Sequence, residues 1–155
     1  MNSIKYKSPF GIITIQEKDG AISRVELPNA EPDISENSSE LLEFARRQFS
    51  EYFTGRRKTF DLPLNFDGCT DFMKFVYLEL LKIPYGETVS YKQIAERIDC
   101  PKGFRAVGLA NNKNPLPIIV PCHRVIGSDG SLVGYAGGLD LKMKLLELEK
   151  SGRNN

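Results

Sequence analysis

Long apolar runs are missing from this 155-residue chain. No uncharged stretch approaches the roughly 20 residues a bilayer-spanning helix needs, and the opening Met1-Asn2-Ser3-Ile4-Lys5 has no apolar core of a secretion signal. A protein of the cytoplasm, nucleoid-associated if the cell is prokaryotic, is expected, with no membrane partner. Cysteine is scarce: Cys69, Cys100 and Cys122 are an odd number at wide spacings without a C-x-x-C pair. That excludes a disulfide framework and a zinc ribbon and points to a reducing interior. Histidine is scarcer still, with His123 alone. Repeats and low-complexity tracts are absent. So is excess charge, since 21 Lys/Arg stand against 20 Asp/Glu for a net +1, which excludes a strongly basic nucleic-acid coat and an acidic tail. What remains, 41% hydrophobic and 26% charged, is the balance of an ordinary globular protein with one domain or two small ones.

The even charge hides an asymmetry. Residues 1–67 carry 9 Lys/Arg against 11 Asp/Glu, whereas residues 68–155 carry 12 against 9. Between Lys92 and Arg124 the basic side chains Lys92, Arg97, Lys102, Arg105, Lys113 and Arg124 are opposed only by Glu96 and Asp99. Either this is a surface for an anionic partner or it is a solvated face.

The first third reads as a small sheet with one helix. Gly11-Ile12-Ile13-Thr14-Ile15 and Ala21-Ile22-Ser23-Arg24-Val25 are β-branched runs around Lys18-Asp19-Gly20, a hairpin signal. Polar residues 28–40 form a connection. Leu42, Ala45, Phe49 and Phe53 then recur at helical spacing, predicting a helix over residues 38–53 that Gly55 ends. Residues 56–62 are expected as a final strand before Pro63.

After Gly68 the pattern turns helical. Thr70 is a candidate cap for a helix whose stripe is Phe72, Phe75, Val76, Leu80 and Ile83, stopped by Pro84-Tyr85-Gly86. Ser90 and Gln93 form a capping box opening a short helix over residues 91–98, with Ile94 and Ala95 inward. Pro101 suits the first turn of the next helix, which should reach about Asn111. Two short helices joined tightly fit a helix-turn-helix, although the pattern alone favours the plain packing of two helices. Residues 114–122, with Pro115, Pro117 and Pro121, cannot be helical and are expected to be extended and stiff. Asp129-Gly130 marks a turn, residues 134–138 a bare glycine loop, and Leu141, Leu145 and Leu148 a closing helix.

That stiff segment delivers Cys122 beside His123. A lone cysteine is usually a small hydrophobe, but here an imidazole adjoins it to take its proton and Arg124 adds positive charge. A free thiol with a pKa of about 8.5 is roughly 3% ionised at pH 7, so full ionisation gains at most about 30-fold. Lowering the pKa by about three units would cost about 20-fold in nucleophilicity at a Brønsted slope of about 0.45. Sulfur activation is therefore a minor term, and a useful site must supply positioning and leaving-group stabilisation. Zinc would have to recruit both distant cysteines, so no metal and no cofactor are expected. A cysteine protease would need no Arg-bearing helix-turn-helix. The glycine loop lacks the G-K-[ST] ending of a phosphate loop and instead permits close backbone approach.

Several motifs together resemble a known family. Ile83-Pro84-Tyr85-Gly86-Glu87-Thr88, Ser90-Tyr91, Pro101-Lys102 leading to Arg105-Ala106-Val107-Gly108, Asn114-Pro115, Pro121-Cys122-His123-Arg124-Val125-Ile126 and Gly134-Tyr135-Ala136-Gly137-Gly138-Leu139 are similar in order and spacing to the O6-alkylguanine-DNA alkyltransferases, the methylated-DNA–protein-cysteine methyltransferases. The likeness covers residues 70–149. Earlier residues match loosely, through Ser8-Pro9-Phe10-Gly11 and Leu62-Pro63-Leu64. Tyr77 stands where many relatives have Trp, Asp99-Cys100 where many have glycine, and the Cys/His cluster with which some members bind zinc is absent.

The resemblance implies an α+β protein: a small antiparallel sheet with one helix, ribonuclease H-like, over residues 1–66, then a mainly helical domain with a helix-turn-helix over 67–155. It implies single-turnover DNA repair, in which Cys122 takes the alkyl group from O6-alkylguanine, with O4-alkylthymine left open as a further substrate. His123 would deprotonate Cys122 through a water, Glu149 would orient and charge His123, and Tyr91 would donate its hydroxyl to N3 of the leaving base. Tyr135, Ala136 and Val125 would line the base pocket, and Asn114 would hold the active-site turn. Taken alone, Glu149 reads as a surface residue near a helix end, and either tyrosine as part of a core. The second helix would enter the minor groove of double-stranded DNA, with Lys102, Arg105, Ala106, Gly108 and Lys113 at the interface and Arg105 filling the space left by the rotated nucleotide. The small residues Gly103, Ala106 and Ala110 would let it approach the duplex closely, though close helix packing explains the same stripe. With three or four phosphate contacts expected, binding would be modest and salt-sensitive. A monomer is expected. Two other classes remain: an alkyltransferase-like module that binds the lesion without transferring anything, and a thiol hydrolase.

Overall fold

Alternating β-branched residues build the sheet. In the computed structural model, which describes residues 2–30 and 34–152, β1 (Asn2–Ser8), β2 (Gly11–Lys18) and β3 (Ala21–Glu26) pair antiparallel in that order. The register sets Ile4 opposite Ile15 and Ile15 opposite Val25. The β2–β3 hairpin turns on Asp19 (φ 53°) and Gly20 (φ 78°), the positive-φ pair that a tight two-residue turn requires. One face of the sheet buries Ile4, Ile13, Ile15, Ile22 and Val25 against α1 (Glu40–Phe53), whose inner stripe is Leu42, Ala45, Phe49, Tyr52 and Phe53. Ser39 caps α1 by accepting from the Leu42 amide at 3.1 Å. Of the polar connection 28–40, residues 31–33 lie outside the described residues.

The segment 56–62 is not a strand. The bridge nearest to it pairs Leu64, two residues beyond, with Ile22, and within the segment the buried Gln48 side chain supplies bonds a neighbouring strand would. Gln48 Nε2 donates to the Asp61 carbonyl at 2.9 Å and its Oε1 accepts from the Asp61 amide at 2.8 Å.

The second half is helical: α2 (Asp71–Leu80), α3 (Tyr91–Arg97), α4 (Phe104–Asn112) and α5 (Leu139–Gly152), with two-residue strands β4 (Val89–Ser90) and β5 (Val125–Ile126) paired in parallel. Thr70 caps α2, and Ser90 with Gln93 closes the expected box on α3. Phe75 leaves the stripe and is 64% exposed, because α2 turns Val76, Tyr77 and Leu80 inward instead. Helix α4 starts at Phe104, not near Pro101, since Asp99 in a left-handed conformation (φ 61°) and a turn closed by the Gly103 amide on the Cys100 carbonyl intervene. The small-residue stripe of α4 is also divided. A Cβ at Gly103 would meet the Cys100 sulfur at 2.6 Å, and Ala110 is buried with its carbonyl accepting from the Tyr77 hydroxyl, so Ala106 alone faces outward. No helix among the described residues is long and apolar enough to cross a membrane.

Candidate active site

Residues 114–122 are compact where an extended segment was expected. Three prolines forbid a helix, but the Val120 amide folds back to the Leu116 carbonyl at 2.8 Å and Ile118 is held at φ 76°. That conformation costs a β-branched residue roughly 1–3 kcal/mol and persists only when its surroundings enforce it. Asn114 does so: its Nδ2 donates to the Val120 carbonyl at 2.9 Å and its Oδ1 accepts from the Leu116 amide at 2.9 Å. Asn111, buried on α4, adds a bond from Nδ2 to the Cys122 carbonyl at 3.2 Å. Cys122 opens the 3-10 turn Cys122–Arg124 and is 3% exposed, in no disulfide.

Behind the cysteine lies a buried carboxylate. Glu149 accepts five hydrogen bonds, from His123 Nε2 (2.6 Å), Tyr52 Oη (2.6 Å), Arg124 Nε (2.8 Å), Arg124 Nη2 (3.0 Å) and the Gly86 amide (3.4 Å). Burial pushes its carboxyl up, but His123 and Arg124 outweigh that and hold it well below the usual carboxylate range. Burial lowers His123, and Glu149 only partly restores it, so the imidazole rests neutral. An ionised carboxylate has no proton to give, so Nε2 carries the hydrogen and Nδ1 keeps its lone pair. That Nδ1 is buried without a hydrogen-bond partner among the described residues. Glu149 is therefore no surface residue.

Arg124 does not supply charge to the sulfur as expected. Its guanidinium is bound to both oxygens of Glu149, donates to the Ile83 carbonyl at 2.8 Å and lies 5.7 Å from the centre of the Tyr85 ring. Burial pushes the Cys122 thiol up to about 11, against smaller lowering effects of Asn114, Lys142 and Tyr135. The thiol rests protonated. The positive charge that lowers it is the ammonium of Lys142.

Tyr91, first residue of α3, directs its hydroxyl to the Val133 carbonyl at 3.0 Å and lies near Cys122. Tyr135 is buried beside the thiol, its hydroxyl turned toward Cys122. Val125 is fully buried next to the turn, while Ala136 is exposed and its carbonyl accepts from Asn29 Nδ2 at 2.9 Å. Lys102 just before α4, Arg105 and Ala106 on it and Lys113 at its C-terminal end are exposed, and Arg105 lies 6.0 Å from the Phe104 ring centre. Gly108 is half-buried over Tyr91, where a Cβ would rest 3.9 Å from the ring. The catalytic candidates thus converge on Cys122, whereas the α4 residues form a separate outward surface.

Sequence reading missed Tyr52, Asn111 and Lys142, and missed Leu109, 57% exposed one turn beyond Arg105. Lys142, Leu145 and Glu149 fall at i, i+3 and i+7 on the buried side of α5, and two charges at core spacing were the available signal. Tyr52 carried none, since it joins the site from the distant α1. Among the described residues no three His, Cys, Asp or Glu side chains stand together as a metal set.

Comparison with known proteins agrees with this geometry. Residues 71–151 match the model of the 6-O-methylguanine DNA methyltransferase DNA-binding domain, and residues 1–66 that family's ribonuclease-like domain. A methylated-DNA–protein-cysteine methyltransferase of Methanosarcina barkeri is 55% identical over 83% of this chain and 78% of its own. Its namesake in Methanosarcina acetivorans is 46% identical over 94% and 96%. The crystal structure of Mycobacterium tuberculosis OGT in complex with DNA superposes with a TM-score of 0.90 at 42% identity, covering 98% of this chain and 94% of that one. Two matched domains, near-complete superposition and a free cysteine at the expected turn have one explanation: the chain belongs to the 6-O-methylguanine DNA methyltransferase family.

Proposed function

We propose that this protein repairs O6-alkylguanine in double-stranded DNA by moving the alkyl group, once and irreversibly, to Cys122. The observation that carries the reading is the sulfur on an immobilised turn next to a neutral imidazole, whose Nε2 is bound to Glu149 at 2.6 Å and whose Nδ1 lone pair is free. His123 takes the thiol proton through a water, and the imidazolium so formed is stabilised by the carboxylate already in contact with it. The sulfur attacks the alkyl carbon in line with the C–O6 bond. The S–C bond forms, the C–O bond breaks with its electron pair passing to the base, and Tyr91 stabilises that base by a hydrogen bond to N3. Guanine leaves carrying, in net terms, the proton the thiol lost. The thioether has no route back, so each chain acts once.

A thiol 3% exposed meets no base inside a paired duplex, so the nucleotide must rotate out and the loop over the thiol must give way. Residues 133–138 suit this, with exposed Val133, Gly134 and Gly138 and positive φ at both glycines (53° and 93°). Tyr91 must release the Val133 carbonyl to reach N3. Val125, Tyr135 and Ala136 flank the space that the base would enter. The α3–α4 pair acts as a helix-turn-helix whose second helix lies in the minor groove, with Lys102 and Lys113 on phosphates and Arg105 filling the gap in the stack. Leu109 lies beside Arg105 as an apolar contact. Residues 1–66 form one domain and 67–155 the other, working as a monomer in the cytoplasm, on the nucleoid in a prokaryote. The first domain steadies the site through Tyr52 on Glu149 and a bond from the Val25 amide to the Pro115 carbonyl at 2.8 Å.

Incubation with a duplex containing O6-methylguanine separates the possibilities. One methyl group per chain, appearing on wild-type protein and not on Cys122→Ala, is expected. Lesion binding at unchanged protein mass would mean a recognition module, and repeated turnover a hydrolase; either result overturns the reading.

A further inference from the structure

Lys142 is fully buried on α5, and its three hydrogen bonds all go to main-chain carbonyls: Val125 at 2.6 Å, Val133 at 3.0 Å and Gly134 at 3.3 Å. An ammonium has three protons to donate, so this one is spent on backbone. Lysines are almost never buried without an acidic partner, and nothing in the transfer chemistry described above uses it. Its nitrogen is 5.8 Å from the centre of the Tyr91 ring. The Tyr91 hydroxyl points at the same two carbonyls, at 3.0 Å from Val133 and 3.5 Å from Gly134. Two donors from different helices therefore share one pair of acceptors on the loop that carries Tyr135 to the thiol.

Sharing has a consequence. If Tyr91 alone held Val133 and Gly134, turning its hydroxyl toward a base would strand two carbonyls, at roughly 1–3 kcal/mol for each that is buried. With Lys142 also bonded to them, Tyr91 can leave while the loop keeps its anchor to β5. The same positive charge lowers the Cys122 thiol and so favours loss of its proton.

We propose that Lys142 is a positioning residue for alkyl transfer: it anchors residues 133–134 to Val125 so that the Tyr91 hydroxyl is free to exchange from loop to base, and it presents a fixed positive charge to Cys122. The inference rests on the function proposed above. The titratable groups that face Lys142 are Cys122 and His123 on the 3-10 turn and Tyr91 on α3. Burial, partly countered by Cys122, lowers Lys142 to about 8, so its charge is lost within an accessible range.

The test measures the rate of methylation of Cys122 by a lesion-containing duplex for wild type, Lys142→Met and Lys142→Arg, from about pH 6.5 to about pH 9.5. Lys142→Met should react about tenfold more slowly at pH 7. The wild-type advantage over it should shrink as pH rises through about 8, because the wild type loses the same charge. Arginine does not deprotonate, so Lys142→Arg should recover part of the rate and keep it in alkali. A ratio of wild type to Lys142→Met that stays within about twofold of unity, or does not change with pH, overturns the proposal. If Lys142→Met fails to fold, Lys142→Arg decides: an alkaline decline identical to that of wild type overturns the proposal equally. A wild type that takes no methyl group is a different failure, that of the functional reading, and removes this inference with it.

Discussion

The two sides of Cys122 are built on opposite rules. On one side Glu149 is clamped by five donors from four residues, all inside the protein. Its negative charge is matched by Arg124, and each contact depends on the others. On the other side, Tyr91 and Lys142 share carbonyls on a glycine-bearing loop whose Val133 is 43% exposed. The first arrangement has one stable state, because breaking it strands a buried charge. The second keeps its acceptors bonded when one donor departs. A proton acceptor gains from rigidity, whereas an entrance for a nucleobase needs contacts that can be exchanged, and the two sides differ in the way the proposed roles require.

Breaking the rigid side should cost most. Glu149→Gln leaves Arg124 buried without a counter-charge and should lower folding stability by about 3–5 kcal/mol in urea titrations, besides slowing transfer. Tyr52→Phe removes one bond of 2.6 Å to the same carboxylate and should cost about 1.5–3 kcal/mol; a smaller loss than Glu149→Gln is required if Arg124 is the main partner. Acid should find the rigid side as well. His123 and Glu149 both have folded pKa values below their unfolded ones, so the folded state binds fewer protons there. Their contribution is present above the unfolded values and fades as pH falls, first below about 6.5 for His123 and then below about 4.3 for Glu149. Methylation rate should hold through the onset of that first step and fall only at lower pH, where the folded imidazole, which burial keeps below its usual value, is itself protonated, as stopped reactions at graded pH would show.

The entrance predicts smaller, selective effects. With lesion-free protein, alkylation by iodoacetamide should modify exposed Cys100 first, half-buried Cys69 next and Cys122 last, read by peptide mass mapping; Cys122 reacting first would mean the loop stands open. Arg105→Ala should slow repair of duplex DNA far more than reaction with the free O6-methylguanine base, because Arg105 lies on α4 and outside the turn that holds the sulfur. Equal losses would count against a role within the duplex.

Much of this was legible from residue patterns, and what was not has physical causes. Caps and hairpins are local, so Ser90 with Gln93 and Asp19-Gly20 announced themselves. The fate of residues 56–62 depended on Gln48, a side chain from another element, which no strand propensity contains. The proline-rich turn was recognised as non-helical, but its compactness depends on Asn114 and on a strained Ile118 that no local rule anticipates. His123 and Cys122 were conspicuous as rare neighbours. Tyr52 and Lys142 were hidden because a buried polar residue looks like any other until its partner is known, although the core spacing of Lys142 and Glu149 was a trace of it.

The most direct measurement is a titration of the protein with increasing amounts of lesion-bearing duplex, followed by mapping of every modified peptide. The account predicts that modification stops at one alkyl group per chain, on the peptide that contains Cys122, and that restored guanine appears in equal amount. Guanine continuing to form beyond that point, or an alkyl group on Cys69 or Cys100 with Cys122 untouched, would contradict it.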